Sequence, residues 1–164
     1  MNKTSWEKKA ELFKNFLFGK KHTTPATTLP SSPINLNELY GEEKNQLKTI
    51  WLGHSSLLIN IDGNIILTDP VMTNKVTLVG PKKFPGTATL SPSQLPFVDV
   101  VLISHDHYDH LNKETIIQLA SKTKLFMVPL KVGKRLAKWG IPPEKIMESG
   151  WWQEHHIHEG LKVT

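Results

Sequence analysis

Residues 98–110 read VDVVLISHDHYDH. The first six are apolar apart from Asp99 and show no alternation between polar and apolar sides, which is the pattern of a central strand covered on both faces. The next seven put His105, Asp106, His107, Asp109 and His110 into six consecutive positions. Successive side chains of an extended segment point to opposite sides, so His105, His107 and Asp109 project together where the strand runs out. His110 follows where the chain turns, and reaches the same cavity from another angle. Two imidazoles two residues apart suit one metal ion, and an adjacent Asp and His suit a second, at ligand distances near ~2.0–2.2 Å. Two ions roughly 3.5–4 Å apart would share a bridging water and acidify it toward hydroxide. The alternative is a set of surface loop groups. A cluster of this kind, uncompensated at the mouth of a buried strand, is costly to desolvate, which favours the metal site. Its position at the C-terminal end of a strand, where α/β sheets place their sites, favours it further.

Outward from this stretch, the period is that of strands from residue 48 onward. KTIWL, SLLINI and NIILTDP follow one another, the last two joined at Asp62-Gly63, a strong hairpin signal. A loop with five prolines between residues 70 and 96 leads into the central strand. After it come a helix over NKETIIQLASK capped by Asn112, a strand at KLFMV, a helix over LKVGKRLAKWG and a short strand at KIMES. A hairpin followed by alternating strands and helices indicates an α/β fold built on one mixed sheet. The closing EGLKVT alternates like a strand with no turn or polar tail after it, and reads as unfinished.

On the N-terminal side, residues 1–21 read as an amphipathic helix. Thr4 and Glu7 fit a capping box, Trp6, Ala10, Phe13 and Leu17 share one face, and Gly19 is a stop signal. Residues 22–47 are a connector and lead-in whose Pro/Thr/Ser-rich part, residues 22–35, has no core-forming pattern. Residues 48–164 then form the folded domain.

Composition narrows the chemistry. The 164 residues suffice for one compact core. With no cysteine, thiolate nucleophiles, disulfides and sulfur-ligated zinc are excluded, and any metal takes nitrogen and oxygen ligands. The net charge of +5 is concentrated at the start: residues 1–21 hold six Lys against Glu7 and Glu11, and the remainder is nearly neutral. A nearly neutral body argues against nucleic acid as partner. No apolar run reaches the length of a membrane span, and no secretory signal is recognisable, so a cytoplasmic location is expected.

The motif HxHxDH after an apolar strand resembles the signature of the metallo-β-lactamase superfamily. WLGHSSLLI, LTDPV, GPKKF, LPFVDVVLISHDHYDHLN and GWW resemble the branch containing N-acyl-phosphatidylethanolamine-hydrolysing phospholipase D and its bacterial relatives. The resemblance implies the αβ/βα sandwich of that superfamily, with residues 48–164 as its N-terminal half and therefore incomplete. It implies His105 and His107 on a first zinc, Asp109 and His110 on a second, Asp109 as the catalytic group orienting the attacking water, and Tyr108 as a substrate contact. It also implies a third histidine, a bridging aspartate and a final histidine from a second half of the fold. The function it implies is phosphodiester hydrolysis of a phospholipid by a metal-bridging hydroxide. Lactone or ester hydrolysis is the alternative, as is an inactive fragment without the later ligands. A half-sandwich would leave one face of VDVVLI uncovered.

Other residues admit two readings. Asp69 in LTDPV either holds the metal loop or forms a turn before Pro70. His54 in LGHSS is expected to be a supporting or structural residue and not a ligand. Lys75, Lys82 and Lys83 could offer charge to a phosphodiester, although solvated loop lysines are commoner. His155, His156 and His158 in HHIH read as an exposed strand, and Trp151 and Trp152 as packing anchors. The helix of residues 1–21 either packs on the domain or lies on a membrane surface, its lysines facing anionic head groups.

Overall fold

The computed structural model of the chain describes residues 4–18, 25–41, 46–74, 83–87, 90–158 and 161–164. Helix α1 spans Ser5–Phe18 and opens with the expected box: Thr4 N donates to Glu7 Oε2 at 2.6 Å and Glu7 N to Thr4 Oγ1 at 3.4 Å. Gly19 lies outside the described residues. A four-residue helix, α2 (Leu36–Leu39), follows, its first turn held by Glu38 N donating to Asn35 Oδ1.

Strands β1 (Leu47–Gly53), β2 (Ser56–Ile61) and β3 (Asn64–Thr68) form an antiparallel meander. Asp62 and Gly63 both take positive φ at the β2–β3 turn, as the hairpin signal requires. Strands β4 (Val98–Leu102), β5 (Thr123–Pro129) and β6 (Ile146–Ser149) add in parallel to give one six-stranded sheet in the order β1-β2-β3-β4-β5-β6. The β4–β5 crossover carries α3 (Lys113–Leu119) and the β5–β6 crossover carries α4 (Gly133–Lys138). A separate ribbon pairs β7 (His155–His158) with β8 (Leu161–Val163).

Leu58, Leu67, Val101 and Phe126 stand in register across four strands, and all are fully buried in the main core with Ile116, Leu119 and Leu136. The opposite face carries Ile66 beside Val100, at 4% and 0% exposure. The expectation of an uncovered face on VDVVLI therefore fails: Val98, Val100 and Val101 are all at 0%. Within residues 22–35, where no core-forming pattern is expected, Ile34 departs from expectation, and the lead-in after it contributes to the core as well. Ile34 and Leu36 pack on the core and Leu39 is buried, because apolar side chains at these positions reach it once α2 turns the chain. Leu29 N donates to Pro85 O at 3.0 Å, and a Cβ on Gly86 would meet Leu29 O at 2.1 Å, so only glycine permits this approach.

Strand direction positions the site. Because β2 is antiparallel to both neighbours, β1 runs with β3, β4, β5 and β6, and the C-terminal ends of all five face one edge. His54, Asp69 and Ser104–His110 all leave the sheet at that edge.

Candidate metal centre

Asp69 organises the centre. It directly follows β3, at 6% exposure and at φ +38, a conformation uncommon for a residue with a side chain. The backbone is held there by Asp69 N donating to Leu102 O at 2.8 Å and by Ser56 Oγ donating to Asp69 O at 2.7 Å. Its carboxylate accepts Ser104 N on Oδ1 at 2.7 Å, and Ser104 Oγ and His110 Nδ1 on Oδ2 at 2.6 and 2.9 Å. Both readings offered by the sequence are thus realised together: Asp69 shapes the turn and holds the loop.

These bonds fix two tautomers. His110 donates from Nδ1 to Asp69, which leaves Nε2 as a lone pair facing the cluster. Ser104 donates its hydroxyl hydrogen to Asp69, so toward His105 Nδ1 at 2.9 Å it accepts, and His105 Nε2 is likewise left free. That atom stands 3.2 Å from His107 Nδ1. Two ligands of a tetrahedral ion at ~2.0–2.1 Å are separated by roughly 3.3 Å, so the pair is spaced as ligands of one ion. The ring centroids of His105 and His110 are 3.9 Å apart, which brings the two halves of the motif together.

Asp109 Oδ2 lies 3.8 Å from His110 Nε2, and His54 Nε2 is 3.3 Å from each. His54, expected to be a supporting or structural residue and not a ligand, shares the space of the candidate ligands because the β1–β2 turn lies at the same edge as the histidine loop. The signal was the direction of β1, which sequence alone does not give. Arg135, by contrast, carried no signal in the sequence. From α4 its Nη1 donates to Asp106 O at 3.2 Å and its Nη2 pairs with Asp106 Oδ2 at 2.8 Å, tying the loop to the next crossover. His110 N and Leu111 N both donate to His107 O, which closes the turn that carries Tyr108 and Asp109.

Tyr108 is 60% exposed and lines an open trough of about 1530 Å³. Met72, Leu90, Ile117 and Trp139 are among its apolar lining residues, and Lys113 and Arg135 among its polar ones. Lys75 and Lys82 lie outside the described residues. Lys83 is half-buried, and desolvation lowers its pKa. Trp151 and Trp152 are not packing anchors: they stand at 91% and 85% exposure on the turn after β6, where Trp152 takes φ +64 and the chain reverses away from the core. His155 Nε2 is bonded to Ser149 Oγ at 3.0 Å, and His156 is exposed on the strand expected of HHIH.

A sequence profile of the beta-lactamase superfamily domain matches residues 64–164, which includes Asp69 and the whole histidine loop. The chain belongs to the beta-lactamase superfamily. Within it, the chain is 40% identical over 137 residues to an uncharacterized protein of Mycobacterium tuberculosis, covering 79% of this chain and 36% of that one. It is 31% identical over 148 residues to N-acyl-phosphatidylethanolamine-hydrolyzing phospholipase D 1 of Caenorhabditis elegans, covering 84% and 40%. The chain thus spans less than half the length of these relatives. The fold is shared with the solved structure of CmlA, a diiron beta-hydroxylase from Streptomyces venezuelae, at a TM-score of 0.53 and 20% identity, over 70% of this chain and 22% of that one.

Proposed function

We propose that the chain carries the metal-binding edge of a metal-dependent hydrolase that cleaves phosphodiesters of the N-acyl-phosphatidylethanolamine type. The observation that carries this reading is the convergence of two ring nitrogens, His105 Nε2 and His107 Nδ1, 3.2 Å apart, at the spacing of ligands on one ion. His105 and His107 hold the first ion, and Asp109 and His110 the second, with zinc the metal this donor set of imidazole and carboxylate suits. When bound, the ions would supply Lewis acidity toward a phosphoryl oxygen and lower the pKa of water.

The chain's own residues do the rest. Asp109, partly open to solvent, accepts a hydrogen bond from the attacking water and fixes its approach. Asp69 keeps the His110 ring in one orientation, so no reorganisation is needed as substrate binds. Tyr108 meets the substrate in the trough, whose apolar lining residues suit an acyl chain. The similarity to the nematode phospholipase favours this substrate over a lactone or a simple ester. No described helix is long and apolar enough to cross a membrane. We place the protein in the cytoplasm, with peripheral membrane contact through residues 1–21 and no nucleic acid as partner.

The test is release of phosphatidate from an N-acyl-phosphatidylethanolamine by the zinc-loaded protein, beside a panel of esters and lactones. Turnover of the carbonyl substrates with none of the phosphodiester overturns the substrate class. No turnover of any of them, with metal bound, overturns the hydrolase reading for this chain.

A further inference from the structure

Resting on the metal-dependent reading above, we infer that His54 is itself a ligand, and that with Asp109 and His110 it forms a two-histidine, one-carboxylate face for the second ion. The three donor atoms are separated by 3.3, 3.3 and 3.8 Å and so lie on a circle of radius about 2.0 Å, and an ion slightly out of their plane sits at ~2.0–2.2 Å from each. A hydrogen bond accounts for this geometry less well. His54 Nε2 is equidistant, at 3.3 Å, from a carboxylate oxygen and a ring nitrogen, a separation at the long end for a hydrogen bond. A hydrogen serving both acceptors would be a long three-centre bond, whereas one ion meets all three donor atoms at ligand distance.

The backbone points the same way. His54 takes φ +49 directly after Gly53 at φ +98, in a region where glycine or asparagine is easier to place than an imidazole. Its carbonyl is fixed by Trp51 Nε1 at 3.0 Å, so the turn is held and the ring is carried toward Asp109. On the far side, His110 Nδ1 is engaged by the buried Asp69, which leaves Nε2 as the atom facing His54. An oriented imidazole, a carboxylate and a second imidazole then meet at one point with open positions on the solvent side, the arrangement known for divalent ions that keep sites for water or substrate.

The chain contains no cysteine, which makes the test direct. Divalent cobalt is titrated into the unsubstituted chain and into His54→Cys and His54→Ala, with fold checked by far-ultraviolet circular dichroism. If His54 is a ligand, cobalt-loaded H54C shows a thiolate-to-cobalt charge-transfer band, which can arise only from position 54. His54→Ala then weakens one cobalt equivalent by more than the ~10–100-fold typical of losing a group that merely supports a ligand. Cobalt-loaded H54C without that band, or a loss in H54A of about 100-fold or less, overturns the assignment. Should the substituted chains fail to fold, NMR of the unsubstituted chain loaded with a spin-active cadmium isotope decides it: scalar coupling from cadmium to His54 Nε2 supports ligation, and its absence overturns it. An unsubstituted chain that takes up no cobalt overturns the metal-dependent reading itself, whereas normal uptake indifferent to position 54 overturns only this inference.

Discussion

Asp69 Oδ2 lies 2.9 Å from His110 Nδ1, so a carboxylate at the end of one strand sets the ring of a proposed ligand that follows the neighbouring strand. The two residues are 41 positions apart, and β3 and β4 bring them together by running parallel. Asp69→Ala leaves the Ser104 amide, the Ser104 hydroxyl and the His110 N–H without their partner. Each group of this kind costs about 1–3 kcal/mol when left unpaired and buried, and solvent reaching Ser104 reduces the sum, so a loss of roughly 3 kcal/mol is expected. Urea unfolding followed by circular dichroism measures it. Metal affinity at the His110 position should fall ~10–100-fold in the same variant. An unchanged affinity would mean that the ring needs no such support.

His105→Ala with His107→Ala removes both nitrogens of the closely spaced pair. The expected result is loss of one metal equivalent, read by elemental analysis of the protein after dialysis. Asp109→Asn behaves differently, because the amide is a poorer ligand and a weaker acceptor but is close in shape. Turnover should drop by roughly 100-fold or more while the urea midpoint moves little. Equal turnover in D109N would remove Asp109 from the catalytic role.

Two ion pairs near the sheet should respond unequally. Asp106 and Arg135 are each about half exposed, so Arg135→Ala is expected to change stability by less than ~1 kcal/mol, and less again in high salt. Asp99 is 8% exposed, accepts Ile65 N at 2.8 Å and pairs with Lys124. Asp99→Ala strands that backbone amide and should cost about 1–3 kcal/mol. Lys124→Ala removes only the exposed partner, though it leaves a buried carboxylate with one donor. Denaturant midpoints for the three variants, compared at low and high salt, check the order.

Tyr40 supplies a pH signature. Burial, with a further push from Asp99, raises its phenol to about 12, while its hydroxyl donates to Phe97 O at 2.6 Å. The unfolded phenol titrates near ~10. The folded value being the higher, the stabilisation is fully present below pH ~10 and is lost as the pH rises toward about 12. Thermal melts across that window should show the decline, and Tyr40→Phe should flatten it. Because the chain has two tyrosines, a Tyr108→Phe background lets tyrosinate absorbance report Tyr40 alone.

What could be read from the sequence and what could not divide along a physical line. Apolar period and turn chemistry located β1 to β6, because Asp62-Gly63 demands a reversal and VDVVLI tolerates water on neither face. The pairing of His105 with His107 followed from two-residue spacing within one loop. By contrast, His54 and Arg135 reach the loop from β1 and α4, and their proximity depends on strand order and direction, which local pattern does not encode. Trp151 and Trp152 misled for another reason. Large aromatics are buried on average, but a tight turn at positive φ projects them outward whatever their hydrophobicity.

The N-terminal helix gives the last prediction. In α1, Trp6, Leu12 and Phe13 are 79%, 70% and 64% exposed, and Lys8, Lys9 and Lys14 are exposed with them. A helix that docked its apolar stripe on the domain would cover Trp6 and Phe13, the residues that define that stripe. Left open, the stripe and its lysines have the pairing of apolar and basic faces by which interfacial helices bind anionic lipid, each basic residue near the surface contributing about 1 kcal/mol. The chain should therefore co-sediment with vesicles containing an anionic lipid, less so as salt is raised, and deletion of residues 1–21 should abolish the binding. Trp6→Ala with Phe13→Ala should weaken it while leaving the salt dependence in place, since the apolar and electrostatic parts act separately. Equal sedimentation of the intact and shortened chains would return the helix to a purely intramolecular role.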